Sequence, residues 1–165
     1  FNHRAAGELR GMKGDIYDGG HRIPHIVRWP GKIKAGSTND IPNTLASFYS
    51  TIADLLNLDS SAIDSHSIFS QLVSDSKKET YRSIIHHSSE GHYSIRQGDW
   101  KMIEKLGSGG FSLPKTIEPK PGVRQERLYN MREDLSEQIN LAEDYPKIIT
   151  EMKFKLDSIR SISMN

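Results

Sequence analysis

The sequence has no cysteine, no long apolar run and no excess of charge of one sign. Without cysteine, disulfides and thiolate metal sites are excluded, although the compartment stays open because oxidising compartments also hold cysteine-free proteins. No run approaches the roughly 20 apolar residues of a membrane-spanning helix. The 22 Lys and Arg are balanced by 21 Asp and Glu, whereas nucleic-acid binders typically show a strong basic excess. We therefore expect neither nucleic acid nor a membrane as a partner.

The chain is nevertheless long enough to fold. Its 165 residues suffice for one domain or slightly more, and 35% of them are apolar, a polar but not a disordered composition. No signal peptide is visible, and the first residue is Phe1 rather than methionine, so we expect the natural N-terminus to lie upstream.

The most informative stretch is 9–31, where glycine punctuates a basic loop that leads into an apolar segment. Four early glycines allow positive φ or close approach of another segment: Gly11, Gly14, Gly19 and Gly20. Pro24 disfavours a helix, and residues 23–29 predict a strand closed by a Pro30-Gly31 turn. The ammonium of Lys13 is a compact point charge, suited to phosphate or sulfate oxygens. From residue chemistry alone, a surface turn with solvated basic side chains is the competing interpretation.

The rest of the first half predicts helices and a boundary. Residues 44–57 form the best helical pattern, with one apolar face predicted to be buried: Leu45, Phe48, Ile52, Leu55 and Leu56. A short helical piece is expected over 68–73. The charged, glycine-free segment 74–80 predicts a linker between two subdomains.

The second half reads as short strands followed by one helix. Alternating patterns predict strands over 82–87, 93–96, 100–103 and 127–131. The Gly- and Pro-rich residues 107–125 predict a long loop, and loops of this length are typically lids, binding loops or mobile segments. Pro146 suits the first turn of a terminal helix. The spacing of its apolar residues predicts that one side of this helix is buried: Ile148, Ile149, Met152, Leu156 and Ile159. This order predicts an antiparallel sheet with the helix laid across one face.

Residues 9–31 resemble a pattern found in the C-terminal part of sulfatases, the arylsulfatase-like enzymes of the alkaline phosphatase superfamily. The pattern runs leucine-arginine-glycine-x-lysine, four residues, acid-glycine-glycine-x-arginine-aliphatic-proline, then tryptophan-proline-glycine. Lys13 falls on its lysine, and Asp18 on an acid that is commonly glutamate. The remaining matches are Gly19, Gly20, Arg22, Pro24, Trp29, Pro30 and Gly31.

The resemblance continues through the second half. Residues 96–101 match the arginine-x-glycine-aspartate-tryptophan-lysine turn of sulfatases, and residues 128–141 match their leucine-tyrosine-aspartate-leucine and aspartate-x-x-glutamate-x-x-asparagine-leucine segment. Asp64 and Ser67 fit a further motif, from which the usual glycine is missing. The resemblance implies an α/β protein, α+β in this part. Residues 1–75 would end the large α/β domain, and 80–165 would form a small subdomain with a four-stranded antiparallel sheet and a packed terminal helix.

The chemistry that the resemblance implies is the hydrolysis of sulfate esters. A formylglycine made from Cys or Ser in a Cys/Ser-x-Pro-x-Arg motif attacks sulfur, and a calcium ion helps to hold the sulfate. Residues 112–116 lack that motif's arginine, and Glu8 is the single acid before Lys13. We therefore expect the nucleophile and calcium ligands to belong to the missing N-terminal half of the same protein. This part alone is expected to bind neither cofactor and to be inactive.

Lys13 is the one catalytic residue that carries over, and in the family the matching lysine contacts the substrate's sulfate. Asp18 and Arg22 are expected to form an ion pair that shapes the loop. Because the C-terminal subdomain of sulfatases borders the mouth of the active site, His87 or His92 is expected to bind the leaving-group side of the substrate.

Other uses of the histidines are weaker. A metal site from His86, His87 and His92 is disfavoured, because neighbouring residues in a strand point to opposite faces. Pro24 likewise prevents the helix that would align His21 and His25 as metal ligands. The contiguous residues 64–66, Asp-Ser-His, cannot adopt the geometry of a catalytic triad.

Two alternatives remain beside a sulfatase acting on a sulfated small molecule or glycan. One is a stand-alone module that binds anions or sulfated glycans. The other is a phosphoester hydrolase of the same superfamily, since one scaffold can carry both chemistries. The resemblance also favours a periplasmic or secreted location.

Overall fold

The computed structural model describes residues 6–62, 64–73 and 82–162. Within these ranges the elements are, in chain order, α1 (Asp18–His21), α2 (Ser47–Leu55), α3 (Phe69–Val73), β1 (Ile84–His87), β2 (Tyr93–Gln97), β3 (Trp100–Ile103), β4 (Arg127–Asn130) and α4 (Pro146–Ile162). The chain divides into two compact units, the first comprising Phe1–Ile23 with Ile85–Asn165 and the second Pro24–Ile84. Within the described ranges, no helix has the length and apolarity needed to cross a membrane.

The sheet has the predicted four strands, in the order β1-β2-β3-β4. Strands β2 and β3 pair antiparallel through a tight hairpin, with Gln97 opposite Trp100. Gly98 lies in that turn with φ +58°, a conformation that glycine adopts without the steric cost a Cβ would bring. Strand β4 then pairs antiparallel with β3 from Asn130 to Arg127. Residues 104–126 contain neither helix nor strand, so the predicted long loop is confirmed.

Helix α4 covers one face of the sheet, as predicted. Three residues in register across β2, β3 and β4 provide the sheet's side of this core: Ile95, Met102 and Leu128. From the helix come Ile149, Met152 and Leu156, whose steps of three and four residues place them on one face. Burial of such side chains contributes roughly 1.5–3 kcal/mol each, so this face provides much of the first unit's stability.

The other face of the sheet is covered by the chain that leads into α1. Because successive strand residues point to opposite faces, Ile103 and Tyr129 point away from α4. They form a second core with Ile16, Tyr17 and Met131. The glycine-rich stretch predicted to bind an anion is therefore packed, through Ile16 and Tyr17, onto the sheet.

Two predictions for the first half are wrong. Residues 23–29 form no strand, because an apolar sequence becomes a strand only where another backbone pairs with its N–H and C=O groups. Helix α2 is present but shorter than expected, and its predicted apolar face is largely exposed. Leu45, Ile52, Leu55 and Leu56 have exposed fractions of 42–67%.

The buried side of α2 is instead small and polar: Ser47, Ser50, Thr51 and Ala53. Hydrogen bonds explain why this side of the helix is buried. The Ser65 hydroxyl accepts from Ser50 N at 2.9 Å, and Thr51 Oγ1 accepts from Ile68 N at 3.0 Å. Small side chains allow this close approach of the 65–68 segment to the helix.

The predicted subdomain boundary at 74–80 lies outside the described residues, and the division of an intact protein into domains stays a prediction. The predicted strand ends differ from the observed ones by no more than about two residues, as is usual where ends fray.

Candidate functional site

Lys13 lies at the tip of a tight turn. Asp15 N donates to Met12 O at 2.9 Å, which closes a four-residue turn with Lys13 and Gly14 at its centre. Gly14 has φ +89°, the positive value that the third position of a type II turn requires. The Lys13 side chain is exposed, and no ion pair engages it within the described residues. The turn thus presents a lysine to solvent on a defined backbone.

The carboxylate of Asp15 anchors this turn through hydrogen bonds. Its buried carboxylate accepts from Met12 N at 2.9 Å, inside the turn, and from Ser112 N at 3.0 Å and Ser112 Oγ at 2.5 Å, in the long loop. Burial raises the pKa of Asp15, but the hydrogen bonds from Ser112 and the backbone outweigh it and hold that pKa below its usual value. The carboxylate is therefore ionised at neutral pH and joins the lysine turn to the loop.

The long loop packs tightly on the turn. Ile16 N donates to Ser108 O at 2.8 Å, and Ser89 N donates to Gly14 O at 2.9 Å. At Gly110 a Cβ would come within 2.4 Å of Gly14 O, so only glycine fits between the two segments. The Phe111 ring lies against Gly14, where a Cβ would be 2.9 Å from its Cε2 atom. These contacts make residues 12–15 and 108–112 one continuous surface.

A buried charge network lies beneath that surface. The Lys101 ammonium, fully buried, is 2.8 Å from Asp18 Oδ1 and 2.8 Å from Glu137 Oε1. Glu137 Oε2 accepts from Asp18 N at 2.8 Å, and Lys101 also donates to Ile16 O at 3.2 Å. Two carboxylates are thus held around one ammonium, with the Arg96 guanidinium 3.6 Å from Asp18 as a second cation.

The predicted Asp18–Arg22 ion pair is wrong. Asp18 pairs with Lys101 and Arg96, whereas the Arg22 side chain is exposed and only its backbone N–H reaches Asp18, donating to its carbonyl oxygen at 2.8 Å. The reason is the sheet, which brings a lysine 83 residues away in sequence under the loop. Burial raises the pKa of Asp18, but its two cations lower it further, whereas burial dominates at Glu137 and raises its pKa.

Known proteins match almost the whole chain. An N-acetylgalactosamine-6-O-sulfatase of Bacteroides thetaiotaomicron is 29% identical over 163 residues, which are 96% of this chain and 31% of that protein. An arylsulfatase of Hemicentrotus pulcherrimus is 30% identical over 95 residues, which are 56% of this chain and 17% of that protein. Sulfatases of different organisms thus match this chain in sequence. No protein-family model matches it.

Solved structures agree with this relationship. One, from work on the metabolism of multiple glycosaminoglycans by Bacteroides thetaiotaomicron, matches 97% of this chain and 33% of its own chain, with a TM-score of 0.79 and 28% identity. Ps i-CgsB, solved in complex with k-i-k-neocarrahexaose, shares the fold over 91% of this chain and 31% of its own chain, with a TM-score of 0.71 and 20% identity. The chain spans about a third of the length of these proteins.

The two histidines expected to bind substrate lie in different environments. His87 is at the exposed end of β1, and its Nδ1 is 2.9 Å from Ser88 O. His92 is only 3% exposed and lies under Gly109, where a Cβ would be 2.6 Å from its ring. This burial favours a packing role for His92, and a substrate contact by either histidine stays a prediction.

Two other histidines form a partly buried pair. The rings of His21 and His86 have centroids 4.1 Å apart. Burial, together with the nearby Lys101 ammonium, lowers the pKa of His86 to about 3, and the same causes lower the pKa of His21. Both imidazoles are therefore neutral at pH 7. Among the described residues, no group of three or more His, Asp or Glu could hold a metal ion.

Sequence reasoning missed Asp15, Ser112 and Phe111. The one available signal was the predicted length of the 107–125 loop, which is typical of binding loops but does not say which segment the loop contacts. Asp15 and Ser112 are 97 residues apart, so only the folded chain reveals that they join the lysine turn to the loop.

Proposed function

We propose that this chain is the C-terminal part of a sulfatase, an enzyme that hydrolyses sulfate esters, and that Lys13 contacts the sulfate of the substrate. The proposal is supported by the homology to named sulfatases and by one observation above all. The lysine that matches the family's motif lies exposed at the tip of a turn that is anchored by Asp15 and packed on the sheet.

The role of Lys13 is electrostatic. A sulfate ester carries negative charge on its oxygens, and more charge develops on the leaving oxygen as the sulfur–oxygen bond breaks. A fixed ammonium stabilises that charge most when its position is set before the reaction, since nothing then has to reorganise. The hydrogen bonds of Asp15 hold the backbone of the turn in this way, while the lysine side chain itself remains unpaired in the described part of the chain.

Formylglycine and calcium belong to the intact enzyme in this proposal. They would supply an activated nucleophile and a hard cation that prefers oxygen ligands. Among the residues described here, no group of three or more Asp, Glu or His could hold a metal ion. The buried carboxylates of Asp15 and Asp18 are engaged by protein donors. We therefore assign both groups to the N-terminal half of the protein, and expect this part alone to be inactive.

The proposed substrate is a sulfated small molecule or glycan. One relative is named for a sulfated amino sugar, N-acetylgalactosamine 6-sulfate, which makes sulfated glycans the preferred class. A periplasmic or secreted location, where such glycans are met, is part of the proposal.

The test is hydrolysis of 4-nitrophenyl sulfate by the full-length protein and its Lys13→Ala variant. Loss of a preorganised contact to developing charge typically costs about 100-fold or more in turnover, so a fall of that size in kcat/KM is expected. Lys32→Ala, at another exposed lysine, is the control and should retain activity. Full activity of Lys13→Ala would refute the assignment, and hydrolysis of 4-nitrophenyl phosphate but not of the sulfate would indicate a phosphoester hydrolase instead.

A further inference from the structure

We propose that the Phe111 ring forms a wall of the substrate site and contacts one face of the sugar whose hydroxyl carries the sulfate. Phe111 thereby determines leaving-group specificity. This inference rests on the proposed function, because it takes Lys13 as the residue that meets the sulfate. It concerns a different part of the substrate, the ring on the other side of the ester oxygen.

The first argument is position. Phe111 lies on Gly14, the residue that follows Lys13, with Cε2 and Cδ2 only 2.9 and 3.1 Å from where a Gly14 Cβ would be. Glycine at this position therefore does more than permit the turn, since any side chain would displace the ring. In a sulfate ester, one oxygen atom separates sulfur from the substituted carbon, and in a 6-sulfate that carbon is bonded directly to the ring. A sugar whose sulfate meets Lys13 is consequently held close to the residues that adjoin this turn.

The second argument is exposure. Phe111 is 61% exposed, although the aromatic ring could have been buried in a core that already holds Ile16 and Tyr17. Single exposed apolar residues are common and carry no meaning alone. Here the exposed ring lies against Gly14, the residue that follows the exposed Lys13. An apolar wall with one well-placed charged group is the typical lining of a ligand site.

The third argument is rigidity. Ser112, the next residue, donates from both N and Oγ to the Asp15 carboxylate. On the other side, Gly110 N donates to Ser108 Oγ at 3.1 Å, and that hydroxyl in turn donates to Ser112 O at 2.5 Å. The backbone on both sides of Phe111 is thus fixed, so binding of a ligand to the ring orders little that is not already ordered.

The chemistry of the wall suits a sugar. The face of an aromatic ring carries partial negative charge, and the C–H groups on one face of a pyranose carry partial positive charge, so the two attract and exclude water. Phe111 has no polar atom, and it therefore selects by shape and apolar area. Phe111 therefore distinguishes a sugar sulfate from a sulfate without a ring, and does not distinguish between sugars sulfated at different hydroxyls.

The experiment separates the ring contact from the sulfate contact. With the full-length protein and 4-nitrophenyl sulfate as reporter, inhibition constants are measured for N-acetylgalactosamine 6-sulfate and for inorganic sulfate. Inorganic sulfate has no ring, so the ratio of the two constants reports the ring's contribution to binding. We expect the sugar sulfate to bind more tightly than inorganic sulfate to the unmodified enzyme.

Phe111→Ala should weaken the sugar sulfate about five- to ten-fold, the usual value of one aromatic contact, and leave the inhibition constant of inorganic sulfate unchanged. Phe111→Tyr should restore tight binding, because it retains the ring face. Phe154→Ala is the matched control, since Phe154 is another exposed phenylalanine, on α4.

Two outcomes would overturn the inference: equal binding of both inhibitors by the unmodified enzyme, or an unchanged ratio in Phe111→Ala, whether neither inhibitor or both alike are weakened. Each leaves the proposed function standing as long as 4-nitrophenyl sulfate is hydrolysed in a Lys13-dependent manner. Absence of that hydrolysis would refute both. Because Phe111 is exposed, its replacement should not prevent folding, and the circular dichroism spectrum of Phe111→Ala checks this.

Discussion

Replacement of Lys101 by methionine tests the buried charge network most directly. Methionine fills a similar volume but removes the ammonium that lies 2.8 Å from both Asp18 and Glu137. Two buried carboxylates would then face each other, with Arg96 as the remaining cation at 3.6 Å from Asp18. Removing one partner of a buried ion pair typically costs about 3–5 kcal/mol, because the other partner keeps its desolvation penalty without compensation. We expect the free energy of unfolding to fall by about that amount.

The assay is urea unfolding at pH 7, followed by circular dichroism and by the fluorescence of Trp100, which lies on the same strand as Lys101. Lys147→Met, at an exposed position on α4, is the control and should change stability by less than about 0.5 kcal/mol. Adding Glu137→Gln to Lys101→Met should recover part of the loss, since one of the uncompensated charges is then removed. The deficit of Lys101→Met should also shrink as the pH falls, because protonation of the carboxylates removes the uncompensated charge. Burial raises the pKa of Glu137, so this carboxylate should protonate first.

Two results would refute this reasoning. One is a loss below about 1 kcal/mol in Lys101→Met, which would mean that water or a conformational change compensates the carboxylates. The other is additivity of the Lys101→Met and Glu137→Gln effects, because residues in direct contact should be coupled.

Two further predictions concern the histidine pair and the loop. The pKa of His86 is about 3 in the folded state and near 6.5 in the unfolded state, so protonation of the unfolded chain destabilises the fold as the pH falls below 6.5. We expect the free energy of unfolding to drop by about 2 kcal/mol between pH 7 and 5. In urea titrations, His86→Gln should flatten that dependence. Gly110→Ala should push the loop off the turn, since its Cβ would lie 2.4 Å from Gly14 O; faster amide exchange of Ile16 would report the lost contact with Ser108, and unchanged exchange would contradict it.

Elements with a local cause were predicted well. Strand β3 was predicted over the residues it occupies, because side-chain alternation and the Gly98-Asp99 turn are both properties of neighbouring residues. Helix α4 begins at Pro146, whose fixed φ and missing N–H suit a first helical turn. The helix also packs on the sheet with the expected apolar side, because Ile149, Met152 and Leu156 lie against apolar residues of the strands.

Long-range partners were not predicted. Asp18 was paired with nearby Arg22, but its partners Lys101 and Arg96 come from the sheet. For α2 the apolar pattern was taken as the buried face, yet hydrogen bonds to the 65–68 segment decide which side is covered. Periodicity locates an apolar face but cannot say what lies against it.

By itself, the sequence determined the strands, the terminal helix, the glycine turn and the relationship to sulfatases, because each depends on residues close together along the chain. Only the tertiary structure decided that Asp15 binds Ser112, that Phe111 lies beside the Lys13 turn, and that Lys101 is buried under the loop. These contacts join residues about 80 to 120 positions apart in the sequence. A buried carboxylate needs donors within about 3 Å, and only the folded chain determines which of the many possible donors lie that close and away from water.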